Sequence, residues 1–384
     1  MWILIFMFFL STFILGWALF GYCIWIFLLG VIKKKEKPLP DTLTVKPPVS
    51  LVVPTYNEED FILKKIENIK ALDYPEDKLQ VLFVDGGSSD KTLDIIESNK
   101  SSCMNILRSD SKGKINQVNF ALKECKGDFI FITDTDGMLS SNCVIETLKE
   151  FARDDNIRLV GVYSSPKTSY GIDGYYWLTQ NKARLLESQA FSSSIVIAIC
   201  YCFNKGLIEA FPDDVIADDI YISYLANYLG HRVSYIDTCY AQELRGPENI
   251  KDFISHKFRK SNAFLRETLR FLYKVSDMPP EWKAIFLTKI SQLIFIPWMF
   301  ASYIVLGGAL VSLGRWDVFF ISNLFLLILF VITSRIFSLI RRQERYSVVV
   351  MGKTFLLSMF ILFIVGISFI FFRQSSSYRK INAK

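Results

Sequence analysis

The sequence predicts an α/β protein, with a mostly parallel sheet covered by helices and apolar helices on both flanks. Three observations predict it. Short apolar runs alternate with polar, helix-like stretches from Val49 to about Leu244. An almost unbroken apolar run, residues 2–32, precedes that region. Three more apolar segments, about 284–313, 318–340 and 348–372, follow it. Strands buried on both faces read as continuous apolar runs, and helices between them allow the strands to run parallel.

The flanks come first because composition demands them. Hydrophobic residues make up 51% of 384 residues and charged residues only 21%, with a mean hydropathy of +0.28, which points to membrane spans. In residues 1–32 the charge follows the apolar run, at Lys33, Lys34, Lys35 and Lys37. A cleaved signal carries its charge in front, so the run reads as a retained transmembrane helix with residue 33 on the inner side. Residues 33–47 form a linker containing Pro38, Pro40 and Pro47. Residues 48–249 form a domain expected on the inner side, containing successively Ser50–Pro54, Glu58–Ala71, Val81–Asp85, Ser89–Ser98, Asn116–Lys123 and Phe129–Thr133.

Residues 250–283 are amphipathic, with Phe253, Phe258, Leu265 and Leu269 among Lys257, Arg259, Lys260 and Arg266. That pattern suits a helix lying in the membrane interface, or an ordinary amphipathic core helix. Residues 284–373 hold two or three further spans, and Lys289 makes 284–313 the interfacial or re-entrant candidate. The total is three or four, followed by a tail, 374–384. Four spans put Arg341, Arg342 and Arg345 inside, as charge requires, and put Arg373, Arg379, Lys380 and Lys384 outside, which charge does not require. The expectation is a multi-pass cell-membrane protein in contact with lipid. The net charge of +6 lies largely beside apolar segments, which argues against nucleic acid as a partner. Seven cysteines contain no CxxC pair, so thiolate metal binding is not expected and a reducing compartment is. Two histidines leave little room for zinc.

Polar residues that end the apolar runs carry the chemistry, because ligands bind beyond the carboxyl ends of such strands. Val53-Pro54-Thr55-Tyr56-Asn57-Glu58-Glu59 ends the first run, where Asn57 can cap a helix and Glu58 can complement its dipole. Val84-Asp85-Gly86-Gly87 ends the second, with two glycines that let backbone approach a ligand. Lys112-Gly113-Lys114 enters a helix, either as a solvated loop or as an anion site. Phe129–Thr133 runs into Asp134-Thr135-Asp136. Alternate side chains of an extended chain share a face, so both carboxylates can converge on one Mg²⁺ or Mn²⁺. Hard oxygen ligands, few in number and completed by substrate phosphates, suit Mg²⁺. Asp218-Asp219 is a further acidic pair. Asp219 can serve as a general base, and Asp218 can cap the helix that follows, the two readings being compatible.

In this order and spacing the segments resemble the family 2 glycosyltransferases, over about residues 48–272. The resemblance implies a GT-A-like nucleotide-sugar fold and a divalent cofactor, Mg²⁺ or Mn²⁺. It assigns Pro54, Thr55, Tyr56, Glu58 and Asp85 to the nucleoside and Lys114 to the sugar or phosphates. Asp134 and Asp136 match the family's DxD motif, which binds nucleotide and metal, and Asp219 matches the catalytic base. Asp218, His256 and Arg259 complete the donor-binding set. The flanking spans look like those of the membrane-embedded branch that includes hyaluronan, cellulose and poly-N-acetylglucosamine synthases. Processive members carry QxxRW, where this chain has His256-Lys257-Phe258-Arg259-Lys260. Arg259 keeps the family's arginine; the lost tryptophan removes a stacking platform for an acceptor sugar.

The expected function is inverting transfer from a nucleotide-sugar donor, UDP-linked, to a saccharide or lipid-linked hydroxyl. The alternatives are transfer to a polyprenyl phosphate and, in another class, an inactive membrane scaffold.

Overall fold

Val49, Leu51 and Val53 face one side of the first strand and Val52 faces the other, so a single short run feeds two apolar layers. The first layer adds Ile62, Ile66, Phe83, Phe131 and Leu148. The opposite layer adds Leu82, Val84, Leu122, Ile130 and Ile132. Each such side chain contributes about 1.5–3 kcal/mol on burial, which is why the unbroken Val/Ile/Leu/Phe runs become interior strands. The computed structural model describes residues 1–33, 37–109, 113–166, 170–340 and 346–371. Lys34, Lys35, Lys112, Arg341, Arg342, Arg345 and the cationic tail beyond Arg373 lie outside the described residues.

In chain order the elements are α1 (Trp2–Ile32), β1 (Val49–Thr55), α2 (Ile62–Lys70), β2 (Leu79–Asp85), α3 (Thr92–Asn99), β3 (Met104–Arg108), α4 (Lys114–Glu124) and β4 (Phe129–Thr133). Then come β5 (Gly137–Leu139), α5 (Cys143–Arg153), β6 (Ile157–Pro166), α6 (Gly171–Ala190), β7 (Cys200–Asn204), α7 (Asp218–Tyr228), β8 (Arg232–Glu243) and α8 (Ile250–Leu272). Last are α9 (Pro280–Ser312), α10 (Trp316–Leu339) and α11 (Val348–Phe371). One eight-stranded sheet runs in the order β3-β2-β1-β4-β7-β6-β8-β5.

The sheet is mostly parallel, as expected, with two reversed strands. β1, β2, β3 and β4 pair in parallel, as do β6 and β8, whereas β7 is antiparallel to β4 and β6, and β5 is antiparallel to β8. Both reversed strands serve the same edge. Thr133 pairs with Cys200 at the start of β7, and Gly137 at the start of β5 pairs with Glu243 at the end of β8. Register aligns Thr55 with Asp85 and Val52 with Ile132, so the ends of β1, β2 and β4 lie side by side.

Gly127 marks where β4 is threaded. A Cβ there would stand 2.4 Å from Ser50 N and 2.5 Å from Val49 C, and the Gly127 N–H donates to Ser50 Oγ at 2.9 Å. Backbone cannot yield as a side-chain tip can. Gly127→Ala is expected to cost about 1–3 kcal/mol, measurable as a fall in apparent melting temperature.

Among the described residues, four helices are long and apolar enough to cross a membrane: α1, α9, α10 and α11. Their outer faces expose Phe320, Leu324, Leu327 and Val331 of α10 and Ile304 and Val305 of α9. One end of each meets the sheet domain. Gly30 of α1 approaches Ala190, Lys182 Nζ donates to Phe337 O of α10 at 2.8 Å, and Thr354 Oγ1 of α11 donates to Ile172 O at 3.3 Å. At the far end Phe8 stacks on Tyr303 and Phe319. The segment expected at 284 begins earlier, at Pro280, where proline's fixed φ suits a first helical turn. Trp282, Ile285 and Phe286 of α9 are fully buried and pack with Tyr224 and Phe271 of the domain. The apolar side of α8 is covered too, Phe253 and Leu265 lying with Ile172, Ile361 and Val365.

Candidate active site

The acid pair sits where β4 leaves the sheet. Thr133 Oγ1 donates to Ile199 O at 2.8 Å and Gly137 N closes a tight turn onto Asp134 O at 3.1 Å. Beneath that turn lies Lys65, wholly buried, with Nζ donating to Thr133 Oγ1 and Gly137 O. Burial lowers the Lys65 pKa to about 8, with Asp134 and Asp136 among the charges pulling it back up. Asp136 is held above the ordinary carboxylate range by burial first, then by Asp134 and Glu243, against the opposing pull of Arg245. Two carboxylates and a third nearby favour a cation here.

Asp134 is also paired. Lys114, the first residue of α4, places Nζ 2.8 Å from Asp134 Oδ1 and 3.3 Å from Asp218 Oδ2. It enters from Gly113, whose φ of +104° favours glycine. Burial alone would lower the Lys114 pKa, but Asp134, Asp218 and Asp219 raise it above its ordinary value. Asp218 is buried and accepts a hydrogen bond from Tyr201 Oη at 2.6 Å. Asp219 accepts one from Ala198 N at 3.0 Å. Burial and the neighbouring Asp218 raise the Asp219 pKa, while Lys114 and Lys260 lower it. The structure therefore joins Asp134, Lys114 and Asp218 by ion pairs, with Asp219 next to Asp218 in the chain.

The expected nucleoside residues line the neighbouring strand ends. Pro54 carries its carbonyl to Thr135 Oγ1 at 3.2 Å. Thr55 is buried with Oγ1 donating to Val84 O, and Tyr56 is exposed at the surface. Asp85 accepts from Gly87 N at 3.0 Å and Ser88 N at 3.1 Å, so its carboxylate shapes its own loop. Glu58 is buried and receives both Nη atoms of Arg245, Nη1 at 3.1 Å. Arg245 Nη1 also stands 3.9 Å from Asp136 Oδ2, and its guanidinium covers the Phe61 ring at 4.3 Å.

On α8, His256 is buried, its pKa lowered by burial and by Lys260, Lys257 and Arg259. Lys257 is buried 2.8 Å from Asp173 Oδ1 and 3.9 Å from the centre of the Tyr176 ring; burial lowers its pKa to about 8. Lys260 Nζ lies 5.1 Å above the Trp177 ring, and its charge acts on Glu243 and Asp219. Arg259 is half-buried on the same helix.

Sequence reasoning missed Gln117, Arg245 and Lys65. Gln117 Nε2 donates to Thr55 O at 2.7 Å and Val84 O at 2.6 Å, locking the ends of β1 and β2. A Cβ at Gly86 would meet that amide at 2.9 Å, which explains the glycine there. Among the described residues no three His, Cys, Asp or Glu side chains form a cage for a metal ion. That donor set still fits Mg²⁺ or Mn²⁺, because such ions are held by one or two carboxylates and completed by phosphate and water.

Residues 50–212 match the glycosyl transferase family 2 model. The matched residues, under half of the chain, lie in the sheet domain. Similar proteins include the poly(ribitol-phosphate) beta-N-acetylglucosaminyltransferase TarS of Staphylococcus aureus, 33% identical over 106 residues, which are 27% of this chain and 18% of TarS. The poly-beta-1,6-N-acetyl-D-glucosamine synthase of the same species is 22% identical over 274 residues, 67% of this chain and 64% of the synthase. The chain thus spans less than a fifth of TarS and under two thirds of the synthase. Among solved structures, mannosyltransferase PcManGT from Pyrobaculum calidifontis, in complex with GDP-Man and Mn²⁺, has a TM-score of 0.70. The likeness covers 94% of this chain and 98% of PcManGT at 22% identity. That likeness establishes a GT-A-like fold for the sheet domain with its flanking apolar helices.

Proposed function

We propose that this chain is a membrane-bound, inverting family 2 glycosyltransferase that moves a sugar from a nucleotide-sugar donor, UDP-linked, to a saccharide or glycolipid hydroxyl in cell-surface polysaccharide or glycolipid synthesis. The observation that carries the reading is the ion-paired set of Asp134, Lys114 and Asp218, next to Asp219, at the edge that also holds Thr55 and Asp85. The four apolar helices meet the domain at one end each, and in this reading of a multi-pass membrane protein the site faces the cytosol, the side to which the cationic flank after residue 32 assigns the domain. A Mg²⁺ or Mn²⁺ ion would be held by Asp134 and Asp136 and would supply charge stabilisation to the departing diphosphate.

The chain's own residues do the rest. Pro54, Thr55, Tyr56, Glu58 and Asp85 hold the nucleoside edge, and Gln117 fixes the two strand ends that carry them. Lys114 and Arg259 bind diphosphate oxygens, Arg259 in the forked geometry suited to them. Asp218 anchors the cluster through Tyr201 and places Asp219, which takes the proton from the acceptor hydroxyl as that oxygen attacks the anomeric carbon. One displacement inverts the anomeric configuration. His256 completes the donor wall beside the α8 cations.

Purified membranes supplied with a panel of nucleotide sugars and Mg²⁺ or Mn²⁺ test this through nucleotide release. Release is expected with at least one donor, and Asp136→Ala is expected to lose the stimulation by cation. Stimulation undiminished in that variant would remove Asp136 from the metal site. A second reading is transfer to a polyprenyl phosphate, an anionic acceptor for which the cation Lys260 stands where processive members carry tryptophan.

A further inference from the structure

Each carboxylate of the acid pair already faces a protein cation. Lys114 Nζ contacts Asp134 Oδ1 at 2.8 Å, and Arg245 Nη1 lies 3.9 Å from Asp136 Oδ2. The two cations differ in how firmly they are held. Arg245 grips Glu58 with both Nη atoms and is packed on Phe61. Lys114 stretches between two carboxylates on a single flexible stem, and its side chain and that of Asp134 keep 30% and 37% of their surface open. Asp218 Oδ2 also accepts from Tyr201 Oη at 2.6 Å, so it has a partner besides Lys114. A metal ion binds a carboxylate oxygen at about 2.1 Å, so an ammonium 2.8 Å from the same oxygen stands in direct repulsion with it.

We infer that Lys114 is an exchangeable counter-ion, compensating Asp134 while the site is empty and moving onto the diphosphate of an arriving nucleotide. The consequence is an order of loading. Without nucleotide, a divalent cation must displace an ion-paired lysine from Asp134 and gains only the protein's carboxylates in return. With nucleotide, the diphosphate draws Lys114 off and also offers the cation its own oxygens. Cation and nucleoside diphosphate therefore load together, and the nucleotide-free protein binds the cation weakly. The inference rests on the reading of Asp134 as a cation ligand.

The test uses the full chain in detergent and follows free Mn²⁺ by electron paramagnetic resonance, with UDP, GDP or no nucleotide. Wild type is expected to bind Mn²⁺ at least about tenfold more tightly when one of the nucleotides is present. Lys114→Met is expected to strengthen nucleotide-free Mn²⁺ binding about tenfold and to shrink the nucleotide's enhancement. Lys114→Arg, which keeps the charge, is expected to behave as wild type and guards against a folding artefact in the methionine variant. Equal Mn²⁺ affinity with and without nucleotide in wild type overturns the inference and leaves the cation site standing. So does nucleotide-free binding that Lys114→Met leaves unchanged. If wild type takes up no Mn²⁺ with either nucleotide, the cation reading itself falls, and the inference goes with it.

Discussion

Asp219→Asn is expected to lower turnover about 10²–10⁴-fold, the range a positioned general base contributes. Asparagine is nearly isosteric and can still accept the hydrogen bond from Ala198 N that Asp219 Oδ2 takes at 3.0 Å. The substitution therefore removes basicity and spares the loop. Donor affinity should stay within a fewfold of wild type, since Asp134, Asp136 and Lys114 are untouched. The pH profile gives a second readout. Burial and Asp218 raise the Asp219 pKa, and only the ionised form can accept a proton. Activity should thus fall as pH drops through a midpoint above the ordinary carboxylate value of about 4, and the variant should lose that limb. An acceptor that is already ionised, such as a lipid phosphate, needs no strong base. In that case Asp219→Asn slows turnover only a fewfold, and the hydroxyl-acceptor reading fails in favour of the second one.

How much of this was legible in the sequence depends on how local each cause is. β1, β2 and β4 are legible because burial on both faces writes a continuous apolar run into five to seven residues. The reversal of β7 is not, because its direction is set by pairing with β4 and β6, far away in the chain. β5 is three residues long, and nothing in Gly137-Met138-Leu139 marks a strand. Its existence depends on β8 being alongside. The α8 segment is amphipathic in sequence, but its periodicity cannot tell whether lipid or another helix covers the apolar side.

The same distinction sorts the site. Asp134 and Asp136 are legible, being two residues apart on one chain end. Arg245 finds Glu58 across the sheet edge, and no local pattern around Leu244-Arg245-Gly246 signals it. Lys65 left a trace that could have been read. Ile62, Lys65, Ile66 and Ile69 form the buried face of α2, so the lysine occupies an apolar position of a helical stripe. A charge there needs a buried partner, and the carbonyl and hydroxyl at the turn of the acid pair supply one. Gln117 gave no such sign, for its neighbours on α4 are mixed and its partners are backbone carbonyls of other strands.

Lys289 is the charge that marks the 284–313 segment as the interfacial or re-entrant candidate, and its partner makes the second large effect. Lys289 Nζ lies 2.8 Å from Glu187 Oε1 at the end of α6. The same carboxylate accepts from Tyr22 Oη of α1 at 2.7 Å and from Ser194 N at 2.8 Å, and Glu187 is wholly buried. Two of the apolar helices and the sheet domain thus close on one buried charge. Removing one member of a buried pair costs about 3–5 kcal/mol, because the other charge is left uncompensated. Lys289→Met and Glu187→Gln are each expected to lower the apparent melting temperature sharply and to reduce the yield of monodisperse protein in detergent. Glutamine can still accept from Ser194 N and donate to Tyr22 Oη, so the double variant should recover most of the loss. Two single effects that simply add would show that the groups do not act as a pair. The same contacts bear on truncation: the sheet domain cut away from α1 and α9 would expose Glu187 together with the apolar face around Tyr224 and Phe271, and is not expected to fold into a soluble protein.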